Sequence, residues 1–122
     1  MHIFGRVAPT IPVAELSCAL GFYADVLGFR VVFTNGDPIS FAVIRQGDAE
    51  LHLGVEPARA GSSHVHMLVD NLDSVSGRLQ AAGVRVKQPP KLQPWGLRDL
   101  VVADPDGNTF ELAQAASESV SA

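Results

Sequence analysis

Apolar and polar residues alternate along most of this chain, and helical spacing replaces the alternation in two places. The alternating or β-branched runs predict strands at about 3–11, 29–34, 40–46, 49–54, 63–69, 84–88, 97–103 and 109–114. Gly28 ends a first predicted helix, whose apolar stripe is Leu16, Leu20, Tyr23 and Leu27. A second predicted helix is capped by Asp70 or Asn71 and ended by Gly83. Its apolar stripe is Leu72, Val75, Leu79 and Ala82. The Pro-rich stretch 88–94 predicts a stiff extended loop.

This order of elements occurs twice, with a period of about 56 residues, too short for two independent domains. Val13-Ala-Glu-Leu precedes the first helix, and Val69-Asp-Asn-Leu precedes the second. The halves also close alike, with Ala49-Glu50-Leu51 matching Phe110-Glu111-Leu112. We therefore predict an α+β fold, a single domain of two tandem βαβββ modules forming curved mixed sheets. The modules span about 1–56 and 63–114, and a tail follows at 115–122.

The alternation also assigns faces, because successive strand residues point to opposite sides of a sheet. Val65, Met67 and Val69 are expected to face the second helix, and Leu51 and Leu53 the core. The face turned away from the core then carries five possible metal ligands or proton carriers: Glu50, His52, His64, His66 and Glu111. A sheet with one wet face also requires polar residues there, so the pattern is compatible with ordinary solvation as well as with a site.

Composition narrows the classes of function. The 122 residues are 47% hydrophobic with a mean hydropathy of +0.18, which is typical of one globular domain. No apolar run approaches the roughly 20 residues that span a bilayer, and the first residues lack the apolar stretch of a secretion signal. A single cysteine, Cys18, rules out an internal disulfide and favours the reducing cytoplasm. A net charge of −4 argues against nucleic acid and leaves room for a cationic small ligand.

Two further motifs carry a family resemblance. Phe22-Tyr23-x-x-Val26-Leu27-Gly28-Phe29 follows the first strand, and Asp104-Pro105-Asp106-Gly107-Asn108-x-Phe110-Glu111-Leu112 ends the second module. With the paired modules, they resemble the vicinal-oxygen-chelate superfamily, which groups glyoxalases, bleomycin-resistance proteins and extradiol dioxygenases. The stretch 94–98, Pro-Trp-Gly-Leu-Arg, is similar to bleomycin-resistance proteins in particular. The resemblance spans nearly the whole chain and is specific for fold, but not for activity.

In the metal-using members of that superfamily, ligands come from the first and last strands of each module. The resemblance therefore implies His64, Glu111 and Glu50 as metal ligands, with Ala8 standing opposite His64 where the fourth would be. Three ligands plus water would suit zinc, and a histidine pair with a carboxylate would suit non-haem iron. The missing ligand favours a protein without a cofactor, and a divalent metal such as zinc or iron is the alternative.

The resemblance implies a binding protein that sequesters an antibiotic or similar planar, partly cationic molecule in a groove of a homodimer, often with an exchanged first strand. Trp95, Phe33 and Phe41 could stack on such a ligand, with His52 and His66 beside them, while Glu50 and Glu111 meet its positive charge. The alternatives are a metal-dependent lyase, isomerase or dioxygenase of the same fold, and a degenerate structural or regulatory subunit. No nucleophilic triad is supported, because the serines lack a catalytic context.

Overall fold

The computed structural model describes residues 3–115 as two four-stranded sheets, each accompanied by a helix. The first module contains β1 (Thr10–Val13), α1 (Leu16–Leu20), β2 (Arg30–Asn35), β3 (Phe41–Gln46) and β4 (Ala49–Val55). The second contains β5 (His64–Leu68), α2 (Leu72–Ala81), β6 (Val86–Leu92), β7 (Leu97–Ala103) and β8 (Thr109–Ala115). The strand orders, β1-β4-β3-β2 and β5-β8-β7-β6, are the same, with a parallel first pair in each sheet. The predicted pair of βαβββ modules is confirmed.

Both modules contribute to one hydrophobic core. Leu51 and Leu53 of β4 are 2% and 0% exposed, so the predicted register of this strand is confirmed. Phe110 and Leu112 occupy the corresponding positions in β8. The core cluster also contains Ile11, Tyr23, Leu72, Leu79 and Leu100. We call the opposite side of each sheet, away from these residues, its open face.

The second helix forms as predicted, and the first differs in its hydrogen bonding. Asn71 Oδ1 accepts from the Ser74 amide at 3.0 Å and caps α2, and Gly83 has the positive φ, +68°, typical of a residue that ends a helix. The first helix is α-helical for five residues and then continues as a π-helical segment, Gly21–Val26. The Leu27 amide accordingly bonds the Phe22 carbonyl, five residues earlier, at 3.1 Å.

Two boundaries were predicted wrongly. The first strand was expected at 3–11, but it begins at Thr10, and the exposed residues Ile3, Phe4 and Val7 precede it. The Pro-rich stretch 88–94 was expected to be a loop, but β6 runs through Pro89 and Pro90 to Leu92. This strand lies at the edge of its sheet, where a missing amide donor is tolerated, and its register shifts around the prolines. The expected tail lies almost wholly outside the described residues.

A buried hydrogen-bond network joins the modules and explains the Asp104–Asn108 motif. Asp104 is 4% exposed; it accepts from the Tyr23 hydroxyl at 2.6 Å and from the amides of Asp106 and Asn108 at 2.9 Å. The Asn108 side chain, fully buried, donates to the Pro12 carbonyl at 2.9 Å and accepts from the Ser63 amide at 3.0 Å. The motif is therefore a connection between modules.

Neither helix in the described part of the chain is long and apolar enough to cross a membrane.

Candidate functional site

The open face of the first module carries a cluster of aromatic rings. Phe33 and Phe41, on β2 and β3, have ring centroids 6.5 Å apart, and Phe41 and His52 have centroids 5.4 Å apart, both edge to face. Phe33 is 55% exposed although it lies within a strand. The structure thus brings together three of the five residues predicted to contact a ligand, on a surface that can accept a flat apolar molecule.

Glu50 lies beside these rings and is already paired within its own sheet. It accepts from Arg45 Nε at 2.7 Å and contacts His52 Nε2 at 2.8 Å, and Arg6 Nη1 lies 3.6 Å away. The hydrogen bonds from His52 and Arg45 hold the pKa of Glu50 below its usual value. This carboxylate therefore stays ionised and restrained.

The open face of the second module carries a pair of carboxyl groups. Glu111 on β8 contacts Asp99 on β7, and the hydrogen bond to Asp99, together with burial, raises the pKa of Glu111. Asp99 is 2% exposed, and its Oδ1 accepts from Gln88 Nε2 at 2.8 Å and Gln93 Nε2 at 2.9 Å. Although burial opposes ionisation, hydrogen bonds from Glu111, Gln93 and Gln88 lower the pKa of Asp99. When the pair holds a proton, that proton therefore lies on Glu111 rather than on Asp99.

Asp99 was missed by the sequence analysis, although a signal for it was present. Leu100 and Val102 are buried, so alternation along β7 places Asp99 on the same open face as Glu111. Only the fold shows that the two carboxyl groups are in contact. Asp99 and Glu111 are diagonal neighbours only when β7 and β8 pair in the observed register.

The sheet register also corrects the internal alignment. In the first module, Phe33, Val43, His52 and Thr10 lie in one line across the four strands. In the second, the line is Gln88, Val101, Glu111 and His66. We call these the aromatic row and the carboxyl row.

The structural counterpart of Glu111 is therefore His52, and the match of Glu50 with Glu111 was wrong by two residues. The hairpins that precede β4 and β8 differ in length, which sequence matching of the strand ends does not reveal.

The three residues suggested as metal ligands do not converge within the chain. Glu50 lies on the first sheet with Arg45 and His52, while His64 and Glu111 lie on the second. His64 Nδ1 is 2.6 Å from Thr109 Oγ1, its neighbour on β8, and Glu111 pairs with His66 instead. Over residues 3–115, no group of three or more His, Cys, Asp or Glu side chains could hold a metal ion. The described residues of this single chain thus do not fit the implied metal.

Trp95 stands apart from both rows, in the turn between β6 and β7. The turn is closed by a hydrogen bond of 3.0 Å from the Gly96 amide to the Gln93 carbonyl, and Gly96 has a φ of +94°. The indole is 65% exposed, so it presents a broad flat surface to solvent from a constrained loop.

A sequence model of the glyoxalase/bleomycin resistance protein/dioxygenase superfamily matches residues 3–112. A bleomycin resistance protein of Geobacillus stearothermophilus is 27% identical over 126 aligned positions, covering 87% of this chain and 93% of the relative.

Solved structures show the same architecture. TnmS3, an antibiotic binding protein from Streptomyces sp. CB03234, superposes with a TM-score of 0.80 at 30% identity, covering 94% of this chain and 98% of that one. A bleomycin-binding protein complexed with bleomycin superposes with a TM-score of 0.77, covering 91% and 98%. At 24% identity, this second likeness shows the fold alone.

Proposed function

Because the chain belongs to the glyoxalase/bleomycin resistance protein/dioxygenase superfamily, we propose that it is a small-molecule-binding protein that sequesters a planar, partly cationic antibiotic. The similarity of this chain to the bleomycin resistance protein of Geobacillus stearothermophilus and to the antibiotic binding protein TnmS3 supports this assignment. In this proposal the protein removes the drug from solution and makes or breaks no bond in it.

The observation that carries the proposal is the exposure of large aromatic side chains where a flat ligand could reach them. Phe33 is 55% exposed and Trp95 is 65% exposed, and neither contributes to the core. Contiguous exposed apolar patches mark binding surfaces more often than single exposed residues do, and Phe33 belongs to such a patch with Phe41 and His52. Stacking on an aromatic side chain is worth about 1–3 kcal/mol per base in nucleic acids, and a heteroaromatic drug offers a comparable face.

Charge favours a cationic ligand. The chain has a net charge of −4, and the carboxyl row places Glu111 on an open face beside Asp99 and His66. A positive group next to this pair would favour its fully ionised form and donate charge-assisted hydrogen bonds to both carboxylates. Glu50 is less suited to this role, because Arg45 and His52 already hold it.

We propose that the functional unit is a homodimer in which the aromatic row of one protomer faces the carboxyl row of its partner. The two rows lie on different sheets of one chain, so each alone offers half of a site for an aromatic cation. An exposed apolar segment also precedes β1, where Ile3, Phe4 and Val7 are each more than three-quarters exposed. Covering that segment with a second copy would remove the apolar surface from water.

We further propose that binding needs no cofactor. The direct test is calorimetric titration with metal-free bleomycin in a buffer containing EDTA, with a neutral polycyclic compound of similar ring size as the control ligand. The proposal expects saturable binding of bleomycin, weaker binding of the neutral compound, and recovery of the drug unaltered. Absence of binding in EDTA with binding restored by zinc or iron would support the metal-dependent alternative instead, as would a chemically altered drug.

A further inference from the structure

The molecule contains a second feature suited to a ligand, on the core side of the sheets and away from both rows. It is an apolar cavity of about 80 Å³ between the modules. Val26, Leu27 and Phe29 line it from the first module, and Val75, Leu79 and Phe110 from the second. This cavity is separate from the proposed antibiotic site, because its walls face the core.

The cavity opens to solvent through a groove of about 790 Å³ between the β3–β4 hairpin and the start of α2, and this outer groove also reaches His66 of the carboxyl row. Gln46, Met67, Val69, Val75 and Arg78 line both spaces and therefore form the mouth. A small molecule can enter without unfolding of either module.

Arg78 is the only charged residue that lines the cavity, and it makes no ion pair within residues 3–115. Its guanidinium lies against Gly28, where a Cβ would stand only 3.3 Å from Nη1. Since Gly28 has a φ of +81° and no side chain, the backbone leaves room for the guanidinium at the mouth. The amide of Gln46 offers a further donor there.

We propose that this cavity binds a short-chain aliphatic monocarboxylate, with the alkyl chain inside and the carboxylate at Arg78. An unpaired guanidinium above an apolar cavity complements an anionic head on an apolar tail. Asp48 and Asp70 line the outer groove but not the cavity, so they disfavour ligands with a second carboxylate. The volume is about half that of a cavity that accommodates benzene, which selects a chain of about four carbons over an aromatic ring.

The local backbone supports a binding role. The π-helical segment ends at Val26, immediately before Leu27, and both side chains line the cavity. π-Helical turns insert an extra residue into a helix and occur frequently at functional sites. Here the insertion places two apolar side chains at the wall opposite α2.

The test uses the intact protein and methyl-resolved NMR of its valine and leucine residues during titration with butanoate, butan-1-ol, butylamine and octanoate. We expect saturable shifts at Val75 and Leu79 with butanoate, and about tenfold weaker binding of the alcohol, which lacks the charge-assisted hydrogen bond. Octanoate is expected to bind more weakly than butanoate, because its chain exceeds the cavity. Equal affinity for butylamine, or no saturable shift with butanoate, would overturn the proposal.

Substitutions test separately how much the charge of Arg78 and the volume of the cavity contribute to binding. Arg78→Gln should reduce the affinity for butanoate to that for the alcohol, while Arg85→Gln, which removes an exposed arginine outside the lining, should not. Val75→Phe should fill the cavity and abolish binding of both butanoate and butan-1-ol. If this variant fails to fold, the smaller change Val75→Leu and the comparison of butanoate with octanoate test the effect of cavity volume instead. Retention of full butanoate affinity in Arg78→Gln would contradict the assignment. Titration of Val75→Phe with bleomycin tests the proposed antibiotic site separately, since no residue that lines the inner cavity belongs to either row.

Discussion

The Tyr23 hydroxyl donates a 2.6 Å hydrogen bond to Asp104 Oδ2, and the two residues come from different modules. Tyr23 is fully buried and Asp104 is 4% exposed, so water cannot replace either partner. Burial and the negative charge of Asp104 raise the pKa of the Tyr23 hydroxyl far above its usual value. The hydroxyl therefore remains a donor, and the connection persists wherever the protein is folded.

We expect Tyr23→Phe to lower the free energy of unfolding by about 1–3 kcal/mol, because it leaves one oxygen of a buried carboxylate without this donor. Urea denaturation followed by circular dichroism measures the change. Ser17→Ala removes an exposed hydroxyl that bonds Glu15 at 2.6 Å, and should change stability by less than about 0.5 kcal/mol. Equal effects of the two substitutions would show that the hydrogen bond between Tyr23 and Asp104 contributes no more to stability than an exposed hydrogen bond.

Glu111→Gln is expected to raise the melting temperature at pH 7. The raised pKa of Glu111 means that the protonated form is favoured by folding, so its contribution is complete below the unfolded value of about 4.3 and is lost as pH rises through the folded value. Glutamine is neutral throughout and can still donate to Asp99. The gain should shrink toward acidic pH, which thermal denaturation from pH 4 to 8 would detect.

Glu50→Gln is the matched control and should behave in the opposite way. The lowered pKa of Glu50 means that its ionised form is favoured by folding, so its contribution is present above about 4.3 and is lost as pH falls. The substitution should lower the melting temperature at pH 7 and have little effect in acid. A gain at pH 7 from both variants would indicate that removing any negative charge suffices.

Trp95→Ala is expected to weaken binding of a bleomycin-like or other planar polycyclic ligand by at least about 1 kcal/mol, the lower range for loss of one stacking partner. The fold should be unaffected, since the indole is 65% exposed. Because this is the only tryptophan, its fluorescence should change during titration of the native protein. Leu92→Ala removes another exposed apolar side chain from neighbouring β6 and should leave the affinity unchanged. Unaltered affinity in Trp95→Ala would place the ligand elsewhere.

The double substitution Phe4→Ser with Val7→Ser is expected to shift the protein toward monomer in sedimentation velocity. These residues are 89% and 82% exposed in the single chain, and a second copy that covers them would lose apolar contact area. Leu92→Ser changes another exposed apolar residue, on the outer edge of the second sheet, and should not alter the distribution. A native protein that is monomeric at all concentrations would contradict the proposed dimer.

The sequence predicted the element order and the strand faces well, because both depend on local periodicity. Leu51 and Leu53 are buried as alternation requires, and Asn71 caps α2. Predictions that depended on pairing between strands were less accurate. The counterpart of Glu111 is His52, and β6 extends through Pro89 and Pro90 because it lies at an edge. The π-helical segment was not predicted, because Leu20, Tyr23 and Leu27 fit ordinary α-helical spacing in the sequence.

The candidate site was predicted in part. Phe33, Phe41 and His52, which were proposed to contact a ligand, lie together in the structure, although alternation had assigned a face only to His52. Asp99 was missed, because its contact with Glu111 runs diagonally between strands whose register only the fold determines. Trp95 was expected to stack on a ligand, and its indole is 65% exposed and thus accessible to one.

The two rows have one further consequence, which concerns how the protein can diversify. They occupy corresponding strand positions of the two modules, yet the first carries the rings of Phe33 and His52 and the second carries Glu111, His66 and Gln88. Since they lie on separate sheets, a substitution in the aromatic row of the proposed site would change which ring shapes are accepted without disturbing the carboxyl pair. A substitution in the carboxyl row would alter the preferred charge without disturbing the rings. In the proposed site, shape and charge selectivity would thus be two independently adjustable properties of one chain.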